Sequence, residues 1–298
     1  MSSEYYYLVA GLPNISAEDS KLPYTLLAFR EEVESQLSET DRALLRLLFL
    51  KFDNRNLLEL IRHSDAQPDP KGNFSPDELD ELLRDPEQPP AEGRKYVIPD
   101  YMKTFVQICR AEDEKDEPGA VAWEDRLATL YYGYAMQCGN AFVADWFELN
   151  LDIGNFLTAV TCRKYGLNRA DFIVGDSEYA QLFRTSGARD FGLGDTWEYL
   201  PAVQRIAEEP DLLTRERKID RLKWDWLEEH TVFKTFTVES LLAWLLKLEM
   251  IERWTTLDRA AGERAFRQVI GAMKTGSNHA LEEFKRNSKN AHYKSESI

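Results

Sequence analysis

Two stretches of the chain, DNRNLLELI at 53–61 and DIGNFLTAV at 152–160, share the pattern Asp-x-x-Asn-[Phe/Leu]-Leu-x-x-[Val/Ile]. They lie 152 − 53 = 99 residues apart. An Asn three residues after an Asp lies on the same side of a helix, so each stretch predicts a helix with a polar pair on an apolar surface. We expect each Asp to lie at or near a helix N-terminus, where free N–H groups and the helix dipole favour a carboxylate.

The similarity extends beyond these nine residues and suggests an internal repeat. Apolar residues that precede the two stretches match at the same offset: Leu44 with Val143, Leu47 with Trp146 and Leu48 with Phe147. A third, weaker copy lies at 248–257, where Glu249 replaces Asp and Glu252 replaces Asn, at an offset of 249 − 152 = 97. Repeats of this kind predict units that bury surface against one another. The alternative is a chance agreement between unrelated amphipathic helices.

The polar residues of the repeat form a stripe that needs partners. Arg163 lies 163 − 152 = 11 residues after Asp152, about three helical turns, so it returns to the side that carries Asp152 and Asn155. Buried polar groups are hydrogen-bonded, so we expect this stripe to hold neighbouring backbone, a structural rather than a catalytic role. The predicted structural network consists of Asp53, Asn56, Asp152, Asn155, Arg163 and Glu249.

Helical periodicity dominates the rest of the chain, as at 241–257, and predicts a mainly all-α fold. Two short runs, 5–10 and 231–238, are ambiguous between strand and helix. Residues 64–99 hold seven of the 12 prolines, so they predict an irregular connection with one short helix at 76–84.

The segment QPDPKGNFSPDE at 67–78 has the length of a calcium-binding loop, but a lysine, Lys71, stands at a position that should supply an oxygen ligand. The same letters fit a helix start better. Ser75 is an N-cap, Pro76 takes the first helical position and Glu78 completes a capping box.

Composition excludes several classes of function. The formal charge of −15 disfavours nucleic acid and anionic lipid as partners, and no apolar run is long enough to span a membrane. Three cysteines without a CxxC pair, Cys109, Cys138 and Cys162, indicate reduced thiols in a cytosolic protein. We find no motif for a nucleotide, a metal or a catalytic serine, and therefore expect neither a cofactor nor a catalytic site. A site of paired carboxylates would be visible only from burial and geometry.

Several segments of the chain resemble a known family. FELNLDIGNFLTAVTCRKYGL at 147–167 resembles the signature of the C subunit of the archaeal and bacterial V-type rotary ATPase, the relative of the eukaryotic d subunit, through Asp152, Asn155, Arg163 and Gly166. The segments 216–229 and 237–254 are similar to two later helices of that family. The start, YYYLVAGLPNIS, resembles an uncharacterised bacterial family found alongside V-type ATPase genes.

The resemblance implies one domain over 1–298 like that of the V-type C subunit, built from three similar helical units in a funnel with pseudo-threefold symmetry. The expected units are 1–110, 111–210 and 211–298. The implied protein is a non-catalytic spacer of the central stalk, a monomer within a motor that transports protons or sodium. Its partners would be the central shaft and the membrane rotor ring, at the cytoplasmic face of the inner membrane. Two alternatives remain: a helical scaffold or adaptor of another cytosolic complex, and a carboxylate-based hydrolase.

Overall fold

The computed structural model describes residues 5–19, 21–63, 66–88, 96–113 and 122–257, and within these ranges all regular structure is helical. The predicted all-α class is therefore confirmed. In chain order, the α-helices are α1 (Tyr6–Gly11), α2 (Leu26–Glu34), α3 (Glu39–Arg62), α4 (Pro76–Arg84), α5 (Asp100–Asp113), α6 (Trp123–Ala135), α7 (Ala141–Tyr165), α8 (Glu178–Thr185), α9 (Leu200–Ala207), α10 (Leu212–Thr231) and α11 (Val238–Thr256). One 3-10 helix, Arg169–Asp171, lies between α7 and α8.

The two long helices α3 and α7 begin well before their repeated polar residues. Ser38 caps α3 and Asn140 caps α7, each by accepting a hydrogen bond from a backbone N–H of the first turn. Asp53 lies 53 − 38 = 15 residues after its cap, and Asp152 lies 152 − 140 = 12 residues after its own. Our expectation that these carboxylates lie at helix N-termini is wrong, because the dipole acts only within the first turn. Both lie inside a helix and depend on tertiary partners.

The core is continuous across the predicted units. Helix α6 packs against α3, α5 and α7, while α11 packs against α1, α2 and α10. The apolar residues that match between the two copies are all buried: Leu44, Leu47, Leu48, Val143, Trp146 and Phe147. The hydroxyl of Tyr131 on α6 also donates to the carbonyl of Leu47 on α3, at 2.9 Å. Neighbouring helices are therefore joined by one apolar interior.

The ambiguous runs turn out to be helical or turn structure. Residues 6–10 belong to α1, and 231–238 span the end of α10, a turn and the start of α11. A single backbone hydrogen bond, from the N–H of Tyr5 to the carbonyl of Phe236 at 2.6 Å, joins the two segments. A strand pair needs a ladder of such bonds, and one contact is not enough. The two segments therefore keep the helical or turn structure that their local sequence favours.

The proline-rich segment behaves as its sequence predicts wherever it is described. Helix α4 lies between two irregular stretches, 66–75 and 85–88, and a third irregular stretch covers 96–99. Ser75 and Glu78 form the predicted capping box, with proline at the first helical position. The structure thus favours the helix cap over the calcium loop.

The predicted unit boundaries fall at different kinds of place. The boundary at 110/111 lies inside α5, whereas 210/211 lies between α9 and α10. The last part of the third unit, 258–298, lies outside the described residues. None of the helices in the described ranges combines the length and the apolarity that a membrane crossing requires.

Candidate functional site

The asparagines of the two repeated stretches hold the loop that follows their helix. In the first copy, Oδ1 of Asn56 accepts from the backbone N–H of Asp69 at 2.7 Å, and Nδ2 donates to the carbonyl of the same residue at 3.0 Å. In the second copy, Asn155 makes the same two bonds with Val174, at 2.9 and 2.8 Å. Each carboxamide therefore satisfies both backbone groups of one loop residue. We call this arrangement the asparagine clamp.

Asp53 binds the next part of the same loop through both carboxylate oxygens. Oδ1 accepts from the backbone N–H groups of Asn73 at 2.7 Å and Phe74 at 3.0 Å, and Oδ2 accepts from Nδ2 of Asn73 at 2.7 Å. Burial raises the pKa of Asp53 to about 6, and these three donors oppose the rise. The first loop therefore closes over a buried carboxylate and satisfies it.

Two residues outside the predicted network complete this closure. A Cβ atom on Gly72 would lie 2.7 Å from Oδ1 of Asp53, so only glycine lets the loop approach the carboxylate this closely. The guanidinium of Arg30 on α2 donates to the carbonyl of Lys71 at 3.0 Å and to Oδ1 of Asn73 at 2.7 Å. Arg30 thus ties α2 to the loop that α3 holds.

The second copy lacks this closure, and the part of its loop between the clamp and the next helix is shorter. The clamped residue and the serine that caps the next helix are 75 − 69 = 6 residues apart in the first copy (Asp69 to Ser75) and 177 − 174 = 3 in the second (Val174 to Ser177). The second loop has three residues fewer to place over Asp152. This side chain is nevertheless buried, with 2% of its surface exposed. Within the described part of the chain, its Oδ1 has no hydrogen-bond partner.

Asp152 lines a cleft of about 550 Å³ instead. Six of the lining side chains are carboxylates: Asp145, Glu148, Asp152, Glu178, Asp195 and Glu198. Four are aromatic: Tyr179, Trp197, Tyr199 and Trp226. Neither lysine nor arginine occurs among the described residues that line it. A concave surface of one charge sign concentrates ions of the opposite sign, so this cleft favours a cation.

Burial and, to a smaller extent, the neighbouring Glu148 raise the pKa of Asp152 to about 7. A carboxyl group perturbed in this way, within a cleft, is a candidate for function. Among the described residues, no three histidine, cysteine or carboxylate side chains lie close enough together to hold a metal ion.

The aromatic wall of the cleft is held by ring contacts, and His230 also lines the cleft. The ring of Trp226 packs against those of Phe142 and Trp146, with centroids 5.4 and 5.6 Å apart. The imidazole of His230 stacks on Trp226 with centroids 3.9 Å apart, and its Nδ1 lies 2.9 Å from the Trp226 carbonyl. Because a carbonyl only accepts, Nδ1 carries the hydrogen of that bond. These contacts fix the wall before any ligand arrives.

Arg163 and Glu249 bind elsewhere. Arg163 donates to the carbonyls of Ala188 and Arg189, at 2.8 and 3.1 Å, so it holds a different loop from the one held by the clamp. Glu249 on α11 pairs with Lys51 on α3. The sequence placed Arg163 on the face of Asp152, but the two side chains serve separate segments.

The third copy of the repeat makes different contacts from the first two. Glu252, which stands for the asparagine, accepts from Nζ of Lys71 at 2.7 Å and from the backbone N–H of Leu26 at 3.4 Å. It therefore ties α11 to the first loop and to α2, rather than clamping a loop of its own.

A second cavity, of about 240 Å³, is lined by residues from both repeated helices, α3 and α7. Leu48 and Phe147 both line it, at an offset of 147 − 48 = 99, and so do Lys51 and Asn150, at 150 − 51 = 99. Helix α11 contributes residues that include Glu249, and α6 and α10 complete the lining. Matched positions of two copies therefore face one space, which we call the central cavity.

The acidic cleft has a sequence signal that our predictions did not include. Asp145, Glu148 and Asp152 recur at i, i+3 and i+7, the spacing of one helix face. Arg30 and Gly72 have no such signal, because their importance depends on a loop that returns to α3.

The comparisons with known proteins give a family without an activity. Neither the curated proteins nor the solved structures compared with the chain gave a match. A family model described as protein of unknown function, DUF2764, matches residues 1–277 of the 298. Because the match covers most of the chain, this protein belongs to the DUF2764 family.

Proposed function

We propose that the protein is a non-catalytic spacer in the central stalk of a V-type rotary ATPase, where it couples the central shaft to the membrane rotor ring. The observation that carries this proposal is the central cavity, which matched positions of α3 and α7 line together with α11. A pseudo-threefold arrangement of three helical units around this cavity is part of the proposal. The resemblance of residues 147–167 to the V-type C subunit supports it from the sequence.

The physical requirement for such a spacer is stiffness, because torque must cross it without deforming it. The continuous apolar core supplies one part of this stiffness. Polar links between distant segments supply another, since Glu252 on α11 binds Lys71 in the first loop. The two asparagine clamps further restrict the loops after α3 and α7. The molecule is therefore suited to transmit force as one body.

The direct test is recovery of partners from native membranes. The tagged chain is expressed in its own cells, the membranes are dissolved in a mild detergent, and the bound proteins are identified by mass spectrometry. We expect the shaft and ring proteins of a rotary ATPase, and a tagged shaft protein should recover this chain in return. Recovery of a different complex, without rotary components, would instead favour the alternative of a helical scaffold.

One observation favours a second candidate, a carboxylate-based hydrolase: the raised pKa of Asp152 in a cleft lined by other acids. The purified protein and the variant Asp152→Asn can be compared on chromogenic glycosides, esters and phosphoesters. Hydrolysis that the variant loses would contradict a purely mechanical role. We expect no difference between the two proteins.

A further inference from the structure

The first copy of the repeat shows which hydrogen-bond donors Asp152 lacks. At the equivalent position, both oxygens of Asp53 are occupied: two backbone N–H groups reach Oδ1 and the side-chain N–H of Asn73 reaches Oδ2. The shorter second loop provides no such donors, and Oδ1 of Asp152 has no partner within the described residues. The cleft therefore presents a buried carboxylate in the setting where its counterpart binds a fork of N–H donors.

Charge and shape narrow the class of ligand. Five further carboxylates line the cleft besides Asp152, so the ligand that compensates them is positively charged. The tryptophans Trp197 and Trp226 also line it, and aromatic rings attract organic cations. Because His230 stacks on Trp226, we assign this attraction to Trp197. Its volume of about 550 Å³ falls within the roughly 300–1,000 Å³ typical of small-ligand sites.

We propose that this cleft binds an alkylguanidinium cation, with Asp152 accepting its N–H donors and with Trp197 as an aromatic wall. Guanidinium is planar and presents parallel N–H groups that match both oxygens of a carboxylate, as the loop does at Asp53. Two sources share this chemistry: an arginine side chain of a partner protein and a free guanidine. The proposal does not depend on the rotary assignment, because it concerns the chemistry of the cleft alone.

The test uses the full chain and small probes. Agmatine represents a free guanidine, and N-acetyl-arginine methylamide represents an arginine side chain in a polypeptide. N-acetyl-citrulline methylamide has nearly the same shape without the charge and serves as the ligand control. Binding is measured by calorimetry and by the fluorescence of the tryptophans. For fragments of this size we expect dissociation constants in roughly the millimolar range.

The variants localise the binding. Asp152→Asn should weaken both guanidines by about tenfold or more, the equivalent of about 1.4 kcal/mol, and Glu148→Gln should weaken them less. Asp225→Asn removes an exposed carboxylate from α10, the helix of Trp226, outside the lining of the cleft, and should leave binding unchanged. The citrulline compound should not bind to any of these proteins.

Each outcome has a defined meaning. Blocked arginine that binds at least as tightly as agmatine supports the site and identifies a partner side chain as its occupant. Agmatine that binds tenfold tighter supports the site and identifies a free guanidine. Absence of saturable binding by either guanidine overturns the proposal. Equal affinity in wild type and Asp152→Asn, or calcium binding in place of guanidine binding, overturns it as well.

Discussion

At the scale of single residues, Asp53 and Asp152 occupy equivalent positions with opposite surroundings. Three N–H donors reach Asp53. Asp152 is buried as deeply, yet its Oδ1 meets no donor in the described part of the chain. Burying a carboxylate without partners costs free energy. Burial of Asp152 therefore costs free energy, whereas the hydrogen bonds from the loop offset the same cost at Asp53.

Replacing Asp152 by asparagine should stabilise the fold at alkaline pH. Burial raises the pKa of this group to about 7, from an ordinary value of 3.8. A carboxyl group whose pKa is raised in the folded state costs little stability below its unfolded pKa. The cost grows as the pH rises from the unfolded to the folded pKa and is constant above the folded pKa. Since one pKa unit corresponds to about 1.36 kcal/mol, we expect a gain of roughly 2–4 kcal/mol at pH 8 and almost none at pH 4.

Urea denaturation of both proteins at the two pH values measures this gain. Asp225→Asn removes an exposed carboxylate from α10 and should change stability little at either pH. An Asp152→Asn protein that is less stable than wild type at pH 8 would show that the carboxylate has a native partner.

Gly72 should tolerate no side chain. A Cβ atom there would lie 2.7 Å from Oδ1 of Asp53 and 2.9 Å from Nδ2 of Asn56, so Gly72→Ala forces the loop away from both groups. We expect a loss of about 1–3 kcal/mol in the free energy of unfolding. Gly154, inside α7, has open space around it, so Gly154→Ala should gain about 0.5–1 kcal/mol from helix propensity. Thermal unfolding of the two variants tests this difference. Equal shifts of the two melting temperatures in the same direction would contradict it.

At the scale of elements, the sequence predicts what local chemistry determines. Helix α4 was predictable because its serine cap and its proline are adjacent in sequence. Helix α1 was not, because its six residues are too short for a helical period to be recognised, and it packs on α11 from the far end of the chain.

The candidate site was predictable only in part, for a related reason. The repeat marks Asn56 and Asn155, but the residues they clamp lie in loops of different length with no common sequence pattern. Between its clamp and the next helix cap the second loop has three residues fewer, and Oδ1 of Asp152 meets no donor among the described residues. The effect of this difference depends on how each loop packs on its helix, which the sequence alone does not show.

The two clamps should control the protection of their loops. Asn56→Ala and Asn155→Ala each remove both hydrogen bonds to one loop residue, Asp69 or Val174. We expect each to cost about 1–3 kcal/mol and to accelerate amide exchange in its own loop while leaving the other unchanged. Hydrogen–deuterium exchange with mass spectrometry measures both loops together.

Asn150→Ala provides the control for this experiment. Nδ2 of Asn150 donates to the carbonyl of Trp146 within α7, so its removal touches neither loop. Exchange in the loop after α7 should then match wild type. If Asn155→Ala behaves like Asn150→Ala, the clamp does not hold its loop in solution.

At the scale of the whole molecule, Glu252 joins the last described helix to the first loop through Lys71. Because the two partners of this contact lie far apart in sequence, it should make unfolding cooperative. Glu252→Ala should lower stability by about 1–3 kcal/mol, while calorimetry still shows one transition for wild type and variant. The exposed Glu59 provides the control, since Glu59→Ala should change little. Two separate transitions in the wild-type protein would contradict a single stiff body.

The function as a rotary coupling is most directly tested by electron cryomicroscopy of the assembly purified from native membranes through a tag on this chain. We predict density for the chain on the rotation axis, between the shaft and the ring, with α3, α7 and α11 surrounding the foot of the shaft. Density at the periphery of the motor, or in an assembly without a rotor ring, would contradict the assignment.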